Sequence, residues 1–154
     1  MTYSIRIAST PEDIAKCHRG SLRSLVRIAV FIEEQGYDIE IEVDEIDKDC
    51  IHWLVVDDND QGVGTARLYK YSDTVGKVGR VAVLSSTRGS GLGRVLMETI
   101  EQYVIESTDL ATLALSSQEP RKGFYEKCGY VATGDIYLEE GQPHVFMNKK
   151  LDRQ

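Results

Sequence analysis

Residues 80–105 have the sequence RVAVLSSTRGSGLGRVLMETIEQYVI, which predicts a strand, a glycine-rich loop and a helix in succession. Val81 and Val83 belong to a short β-branched run, and apolar residues recur at helical spacing from Leu92 onward. Between the two lies RGSGLG, whose glycines leave backbone N–H groups accessible at the predicted helix start. Unpaired amides and the helix dipole favour an anion there, so the loop predicts a phosphate-bearing ligand.

The glycine spacing narrows the choice of ligand. A dinucleotide fingerprint needs G-x-G-x-x-G and a Walker loop needs G-x-x-x-x-G-K-[ST], whereas this loop has G-x-G-x-G. Residues 74–97 contain no acidic residue, and they include four basic ones. A basic patch around the loop supports the phosphate ligand, and the alternative is a strand-to-helix turn that binds nothing.

Composition sets the outer limits of the interpretation. We expect a single domain over residues 1–154, because 42% hydrophobic and 28% charged residues are typical of a globular chain. We expect a cytoplasmic protein, since there is neither a signal-peptide pattern nor an apolar run long enough to span a bilayer. A net charge of −7 argues against nucleic-acid binding, and three widely spaced cysteines predict neither a disulfide framework nor a metal site.

The order of the predicted elements is a strand, helices, three strands, a helix, a strand, a helix and two strands. This order predicts an α+β chain with mixed α/β layers rather than a regular parallel sheet. The predicted strands cover 4–8, 52–57, 63–71, 77–84, 110–116, 131–138 and 144–150. The predicted helices cover 12–34 with a break near Gly20, 91–106 and 120–127, the last closed by Gly129 in the left-handed conformation.

The sequence contains four motifs that resemble those of the GCN5-related N-acetyltransferase (GNAT) superfamily. The loop matches its R-x-x-G-x-G pattern, and FYEKCGY at 124–130 resembles its helix near the thioester. VFIEEQGYDIEIEVDEID at 30–47 and GQPHVFMNK at 141–149 are similar to motifs of the ElaA-like branch. The resemblance implies a GNAT fold, which is a mostly antiparallel twisted sheet, splayed between its fourth and fifth strands, with helices on both faces.

The resemblance also implies a function. It implies an acetyl-CoA-dependent N-acetyltransferase that moves an acetyl group directly, in a ternary complex, to a primary amine, on a small molecule rather than on a protein. Acetyl-CoA is the cosubstrate and no metal is implied. The residues implied to bind it are Val81, Ala82, Val83, Arg88, Gly89, Ser90, Gly91, Leu92, Gly93, Arg94 and Ser117. The alternative is a coenzyme A-binding regulatory module without transfer activity.

The resemblance gives the reacting side chains as well. Tyr125 would protonate or hydrogen-bond the leaving thiolate, and Glu34 would be the general base, with Glu42, Asp44, His52 and His144 as other candidates. Gln35 and His144 would contact the amine substrate, although a structural hydrogen bond is another use for His144. Residues 33–49 carry nine acidic side chains, which form either a solvated loop or a field that attracts a cationic amine. We expect no nucleic-acid or membrane partner, and a homodimer is left open.

Overall fold

The computed structural model describes residues 2–17, 46–84, 89–139 and 141–152. Within these ranges the strands are β1 (Ser4–Ile7), β2 (Ile51–Val56), β3 (Gly62–Lys70), β4 (Val75–Val83), β5 (Thr112–Gln118), β6 (Val131–Glu139) and β7 (Gln142–Lys150). The α-helices are α1 (Pro11–Cys17), α2 (Leu92–Ser107) and α3 (Lys122–Lys127), with short 3₁₀ helices at Asp47–Asp49 and Glu119–Arg121. None of these helices is long and apolar enough to cross a bilayer.

The seven strands form one sheet in the order β1-β2-β3-β4-β5-β7-β6. Every neighbouring pair is antiparallel except β4 and β5, which are parallel. The mixed, mostly antiparallel sheet that the sequence predicts is therefore confirmed.

The sheet opens between β4 and β5. Their register joins Val75–Lys77 to Thr112–Ala114 and goes no further in the described strands. By contrast, β4 pairs with β3 as far as Val83, and the Leu84 amide still donates to the Val63 carbonyl at 2.8 Å. The second half of β4 therefore stays with β3 and separates from β5, which confirms the predicted splay.

Side chains of β2 alternate between two cores. Trp53 and Val55 belong to the main apolar cluster, which also contains the buried face of α2. Leu54 and Val56 face the other way and pack with Ala8, Ile14 and Cys17. Because successive side chains of a strand point to opposite faces, α1 and α2 lie on opposite sides of the sheet. Helices on both faces are thus confirmed.

Helix α2 forms because its apolar residues lie on one side. The buried side chains are Leu92, Leu96, Met97, Ile100 and Val104. Their spacing places them along one stripe facing the sheet, and burial of each large side chain contributes roughly 1.5–3 kcal/mol. The helix ends where the Thr108 hydroxyl and amide both donate to the Val104 carbonyl, at 2.7 and 3.1 Å.

Most element boundaries lie within about two residues of the predicted ones, as is usual for helix and strand ends. The largest difference lies in the predicted helix 120–127, which divides into a 3₁₀ turn and α3, the latter ending at Lys127. Gly129 follows it with φ of 97°, in the left-handed conformation that was predicted. Strand β5 continues to Gln118, so Ser117 lies inside it rather than after it. The second part of the predicted helical region 12–34 lies outside the described residues.

Candidate active site

The described part of the glycine loop leads directly into α2. Gly89 and Gly91 have φ of 90° and 80°, in the left-handed region that favours glycine. A Cβ atom built on either would meet no other described atom within 4 Å. The N-cap residue of α2 is Gly91, so no side chain at this position caps the helix, and the first turn has no acidic residue. In the described part of the chain, the first turn of α2 therefore offers no competing carboxylate, which suits an anionic ligand.

Arg94 brings positive charge to this first turn, but part of that charge is balanced. Its Nε lies 3.1 Å from Glu98 Oε1 one turn later, and both side chains are exposed. An exposed pair of this kind is weak, so an anion can compete for the guanidinium.

Three elements meet next to the loop. A Cβ atom on Gly93 would lie 3.2 Å from Phe124 Cζ and 4.0 Å from Val83 Cγ2. The end of β4, the start of α2 and helix α3 are therefore in contact, and glycine at 93 allows the close approach. Phe124 packs against the main core, and Tyr130 is buried within it.

Tyr125 lies at this junction, between two aromatic rings. Its ring packs edge-on against Phe124, at 5.0 Å between centroids, and against Tyr130, at 6.2 Å. Burial raises the pKa of the Tyr125 phenol, and the opposing influence of Arg121 is smaller. The phenol is therefore protonated at neutral pH, as a hydrogen-bond donor must be. Within the described part of the chain its hydroxyl has no hydrogen-bond partner.

Consecutive serines of β5 lie on opposite faces of the sheet. Ser117 is buried and alternates with Leu113 and Leu115, which belong to the main core, so it faces the α2 side. Its hydroxyl donates to the Gln118 carbonyl at 2.8 Å. Ser116 faces the opposite side.

His144 lies with Ser116 rather than with the glycine loop. It is buried, its Nδ1 is 2.9 Å from the Gln142 carbonyl oxygen, and its Nε2 is 3.6 Å from Glu139 Oε2. Tyr137 completes the group through a hydrogen bond with the Ser116 hydroxyl. No local motif in the sequence points to Ser116, Tyr137 and Glu139, because their proximity depends on the register of three strands.

His52 and the three cysteines are the remaining residues that the sequence singles out. His52, a candidate general base in the sequence, is a buried residue of the interior strand β2, which lies between β1 and β3. The three cysteines form no disulfide, and Cys17 is buried in the α1 core. Burial raises the pKa of the Cys128 thiol, which is unlike an activated nucleophile. Among the described residues, no group of three or more potential ligands could hold a metal ion.

Five of the predicted site residues lie outside the described residues. They are Arg88 in the loop and, in the acidic segment, Glu34, Gln35 and the alternative bases Glu42 and Asp44. Their roles stay predictions, as do the main-chain roles of Val81, Ala82 and Val83 at the open part of β4.

Comparison with known proteins identifies the family. Residues 21–151 match the family model described as an acetyltransferase (GNAT) domain. The chain belongs to the GNAT family of acetyltransferases. It is therefore an acyltransferase, and the resemblance drawn from its motifs is confirmed.

Individual relatives of this GNAT protein agree with that assignment. A candidate acetyltransferase of Bacillus subtilis is 41% identical over 130 residues, which cover 82% of this chain and 86% of the relative. ElaA of Escherichia coli is 32% identical over 130 residues, covering 82% and 84%. The crystal structure of E. coli ElaA matches with a TM-score of 0.79 over 96% of this chain and 98% of that chain, at 25% identity.

A solved structure from another organism is also similar. A candidate N-acetyltransferase of Lactobacillus plantarum matches with a TM-score of 0.86 and 30% identity, over 98% of this chain and 99% of that chain. The ElaA-like branch and the GNAT fold, both predicted from the motifs, are thus confirmed.

Proposed function

We propose that this GNAT protein transfers the acetyl group of acetyl-CoA to a primary amine on a small molecule, directly and in a ternary complex. The observation that carries the proposal is the start of α2, which among the described residues has no side-chain cap and no acidic residue in its first turn, together with the protonated phenol of Tyr125 near the open part of the sheet. A relative of the same fold, an aminoglycoside 6′-N-acetyltransferase, was crystallised with coenzyme A (TM-score 0.72, 18% identity).

The residues around the loop fit a pyrophosphate. We assign its binding to the backbone of Gly89–Arg94 and to the side chains of Arg88 and Arg94, because a helix start and two cations both attract an anion. The extended arm of the cofactor is assigned to Val81, Ala82 and Val83, since an extended ligand can pair with an opened strand as an added strand. Ser117 faces the same side of the sheet as α2, and we assign it to the cofactor as well.

Bound acetyl-CoA supplies the acetyl group as a thioester. A main-chain N–H near Val83 is assigned to polarise the carbonyl, as in an oxyanion hole. Tyr125 donates its proton, or a hydrogen bond, to the leaving sulfur. Its raised pKa keeps the phenol protonated, which favours a hydrogen bond to the developing thiolate over complete transfer of the proton.

Deprotonation of the amine needs help at neutral pH. A primary amine of pKa ~10.4 lies about 3.4 units above pH 7, which corresponds to roughly 4.6 kcal/mol. We assign the proton transfer to Glu34, with Gln35 as its neighbour on the amine. The acidic residues of 33–49 would raise the local concentration of a cationic amine.

The test is release of free thiol from acetyl-CoA in the presence of a panel of primary amines. We expect release that depends on the amine, together with an acetylated product detected by mass spectrometry. Calorimetry with coenzyme A measures cofactor binding separately. Binding of coenzyme A without amine-dependent release would show instead that the chain is a coenzyme A-binding module.

A further inference from the structure

Four polar side chains from three adjacent strands meet on the sheet face opposite to α2. They are Ser116 of β5, Tyr137 and Glu139 of β6, and His144 of β7. The Ser116 hydroxyl bonds the Tyr137 hydroxyl and donates to Glu139 Oε1 at 3.4 Å. His144 Nε2 lies 3.6 Å from Glu139 Oε2, and the Tyr137 and His144 rings are 6.3 Å apart between centroids.

The partner of Nδ1 fixes the tautomer of His144. Nδ1 lies 2.9 Å from the Gln142 carbonyl oxygen, which can only accept, so Nδ1 carries a hydrogen. In the neutral ring Nε2 then holds a lone pair. It faces the Glu139 carboxylate, which also only accepts. The two acceptors, His144 Nε2 and Glu139 Oε2, are 3.6 Å apart. One ligand nitrogen about 2.9 Å from each can donate a hydrogen bond to both, provided that it carries at least two hydrogens.

The group is open to a solute from one side. The His144 side chain is 5% exposed, whereas the Glu139 side chain is 44% exposed. The carboxylate is therefore accessible to a small molecule, and Nε2 lies 3.6 Å behind it. The buried ring keeps its orientation because the Gln142 carbonyl holds its other nitrogen.

The group also borders the gap in the sheet. Ser116 belongs to the part of β5 beyond Ala114, where the pairing with β4 has ended. Its neighbour Ser117 faces the α2 side, so the two serines mark opposite faces of the same opening. A nucleophile that enters from the face of Ser116 approaches from the side that the cofactor loop does not occupy.

We propose that Glu139 and His144 bind the primary amine of the acetyl acceptor, and this site rests on the proposed function. A primary ammonium has three N–H donors. One is directed to Glu139 Oε2 and one to His144 Nε2. The third N–H is the one that loses its proton. The nitrogen lone pair exposed by this loss then points in a fixed direction, because the other two N–H groups are held by Glu139 and His144. Both residues are binding residues in this scheme, and the base that takes the proton is a separate group.

The surroundings point to the class of amine. Tyr137 and Phe146 are 36% and 37% exposed, and both lie on the His144 face of the sheet. Their rings offer an apolar surface beside the amine site. A carboxylate next to the amine would be repelled by Glu139. The substrate class is therefore an alkyl- or arylalkylamine, rather than an α-amino acid.

Two variants and one control test the site. Glu139→Gln removes the charge but keeps an oxygen for the Ser116 hydroxyl, and His144→Asn keeps an N–H for the Gln142 carbonyl while removing Nε2. We expect the KM for 2-phenylethylamine to rise roughly 10- to 100-fold in both, as for loss of a charge-assisted hydrogen bond. The KM for acetyl-CoA should stay within about twofold. Glu106→Gln, on the exposed last turn of α2, should change neither constant.

A second measurement does not depend on turnover. In proton NMR of the coenzyme A complex, the His144 Cε1–H signal is identified by its loss in His144→Asn, or in His144→Gln if the first variant does not fold. Titration with 2-phenylethylamine should shift this signal. The trimethylammonium analogue, which has no N–H, should leave it in place.

The outcomes separate the two proposals. Amine-dependent release by the wild type, with an unchanged amine KM in Glu139→Gln, overturns the amine site and leaves the proposed function standing. No release with any amine overturns the proposed function, and the amine site then survives only if the NMR signal still shifts. A signal that does not move overturns the amine site in either case.

Discussion

At the scale of single residues, the environment of Tyr125 decides what its hydroxyl can do. The ring is held edge-on by Phe124 and Tyr130, and burial raises the pKa of the phenol. A protonated phenol can donate, whereas a phenolate would be costly in this partly buried position. The same packing that makes Tyr125 part of the core therefore prepares it for a departing thiolate.

Tyr125→Phe removes the hydroxyl and keeps the ring. We expect kcat to fall by roughly 10²- to 10⁴-fold, the usual loss for a general acid, with little change in the dissociation constant of acetyl-CoA. Tyr130→Phe is the matched control, because it deletes a hydroxyl from the neighbouring ring. Equal turnover in the two variants would reduce Tyr125 to a packing residue.

The raised pKa of Tyr125 also predicts the alkaline side of the rate profile. A free phenol loses its proton near pH 10, and the pKa of Tyr125 lies above that ordinary value. The wild-type kcat should therefore show no alkaline decline up to about pH 10. A decline centred near pH 8 or 9 that is absent in Tyr125→Phe would contradict this assignment.

Asp60 gives a prediction about stability and pH. Its carboxylate is 2.7 Å from Lys16 Nζ and 3.0 Å from Arg6, and hydrogen bonds from Lys16 first and Arg6 second lower its pKa. A lowered pKa contributes stability above the unfolded value, about 3.9, and this is lost as the pH falls through the folded value. These contacts join α1 to the turn before β3.

Asp60→Asn tests the predicted direction of this pH dependence of stability. Asn tolerates the positive φ of 60° at this position, so the substitution removes the charge without new backbone strain. We expect a small decrease of the urea midpoint at pH 7 that shrinks towards pH 3, because an exposed pair contributes little. A midpoint difference that is the same at pH 7 and pH 3 would assign the loss to something other than the charge.

At the scale of elements, a few residues at the start of α2 determine both how the helix packs and how it would bind the cofactor phosphates. Gly91 supplies the left-handed conformation, and Gly93 supplies the close approach to Phe124. A substitution at 93 would disturb packing as well as binding, because a Cβ there would lie 3.2 Å from the ring. Position 91, where a Cβ meets no described atom, is therefore the place to test the anion site.

Gly91→Asp and Gly91→Asn form a matched pair that differs in one charge. Both side chains tolerate positive φ, so the two variants should have similar thermal stability. We expect Gly91→Asp to bind acetyl-CoA about tenfold or more weakly than Gly91→Asn, since like charges about 6 Å apart repel by roughly 3 kcal/mol at an effective dielectric near 20. Calorimetry measures the ratio, which should shrink with added salt. Equal affinities would place the cofactor phosphates elsewhere.

The elements themselves could be predicted largely from the sequence. The apolar spacing from Leu92 to Val104 indicated α2, and the predicted strands 131–138 and 144–150 correspond to β6 and β7. The contact of Glu139 with His144 could not be predicted, because it depends on which residues of β6 and β7 face each other across a register shift between Thr133 and Tyr137. Local patterns specify strands, but alignment between strands is a tertiary property.

At the scale of the whole molecule, the sheet consists of two parts joined by a short parallel contact. One part is β1-β2-β3-β4 and the other is β5-β7-β6. The joint has three register pairs, and the Ala111 and Thr112 amides add hydrogen bonds to the Thr74 carbonyl at 2.8 and 3.1 Å. A short joint allows the strands to diverge beyond it, so the opening that the proposed function uses depends on tight packing at its base.

Gly76 lies in this joint, and Gly79 lies three residues further along the same strand. A Cβ at Gly76 would be 2.8 Å from Leu110 Cδ1 and 3.0 Å from Leu68 Cδ1, and both leucines are buried. A Cβ at Gly79 would meet only Arg67 Nε among the described atoms, at 3.7 Å. A methyl group would therefore clash with packed side chains at position 76, whereas position 79 has room for it.

Gly76→Ala should destabilise the fold by roughly 1–3 kcal/mol, the usual result of overpacking a closed core. Gly79→Ala should be neutral or stabilising by up to about 1 kcal/mol, because alanine restricts the unfolded chain. Thermal unfolding measures both, at about 2–4 °C for each kcal/mol in a chain of this size. If the joint sets the width of the opening, Gly76→Ala will also weaken acetyl-CoA binding under conditions where it is fully folded, and Gly79→Ala will not. Equal melting temperatures for the two variants would mean that the leucines at the joint can move aside to accommodate the methyl group. The packing at the base of the opening would then not be rigid.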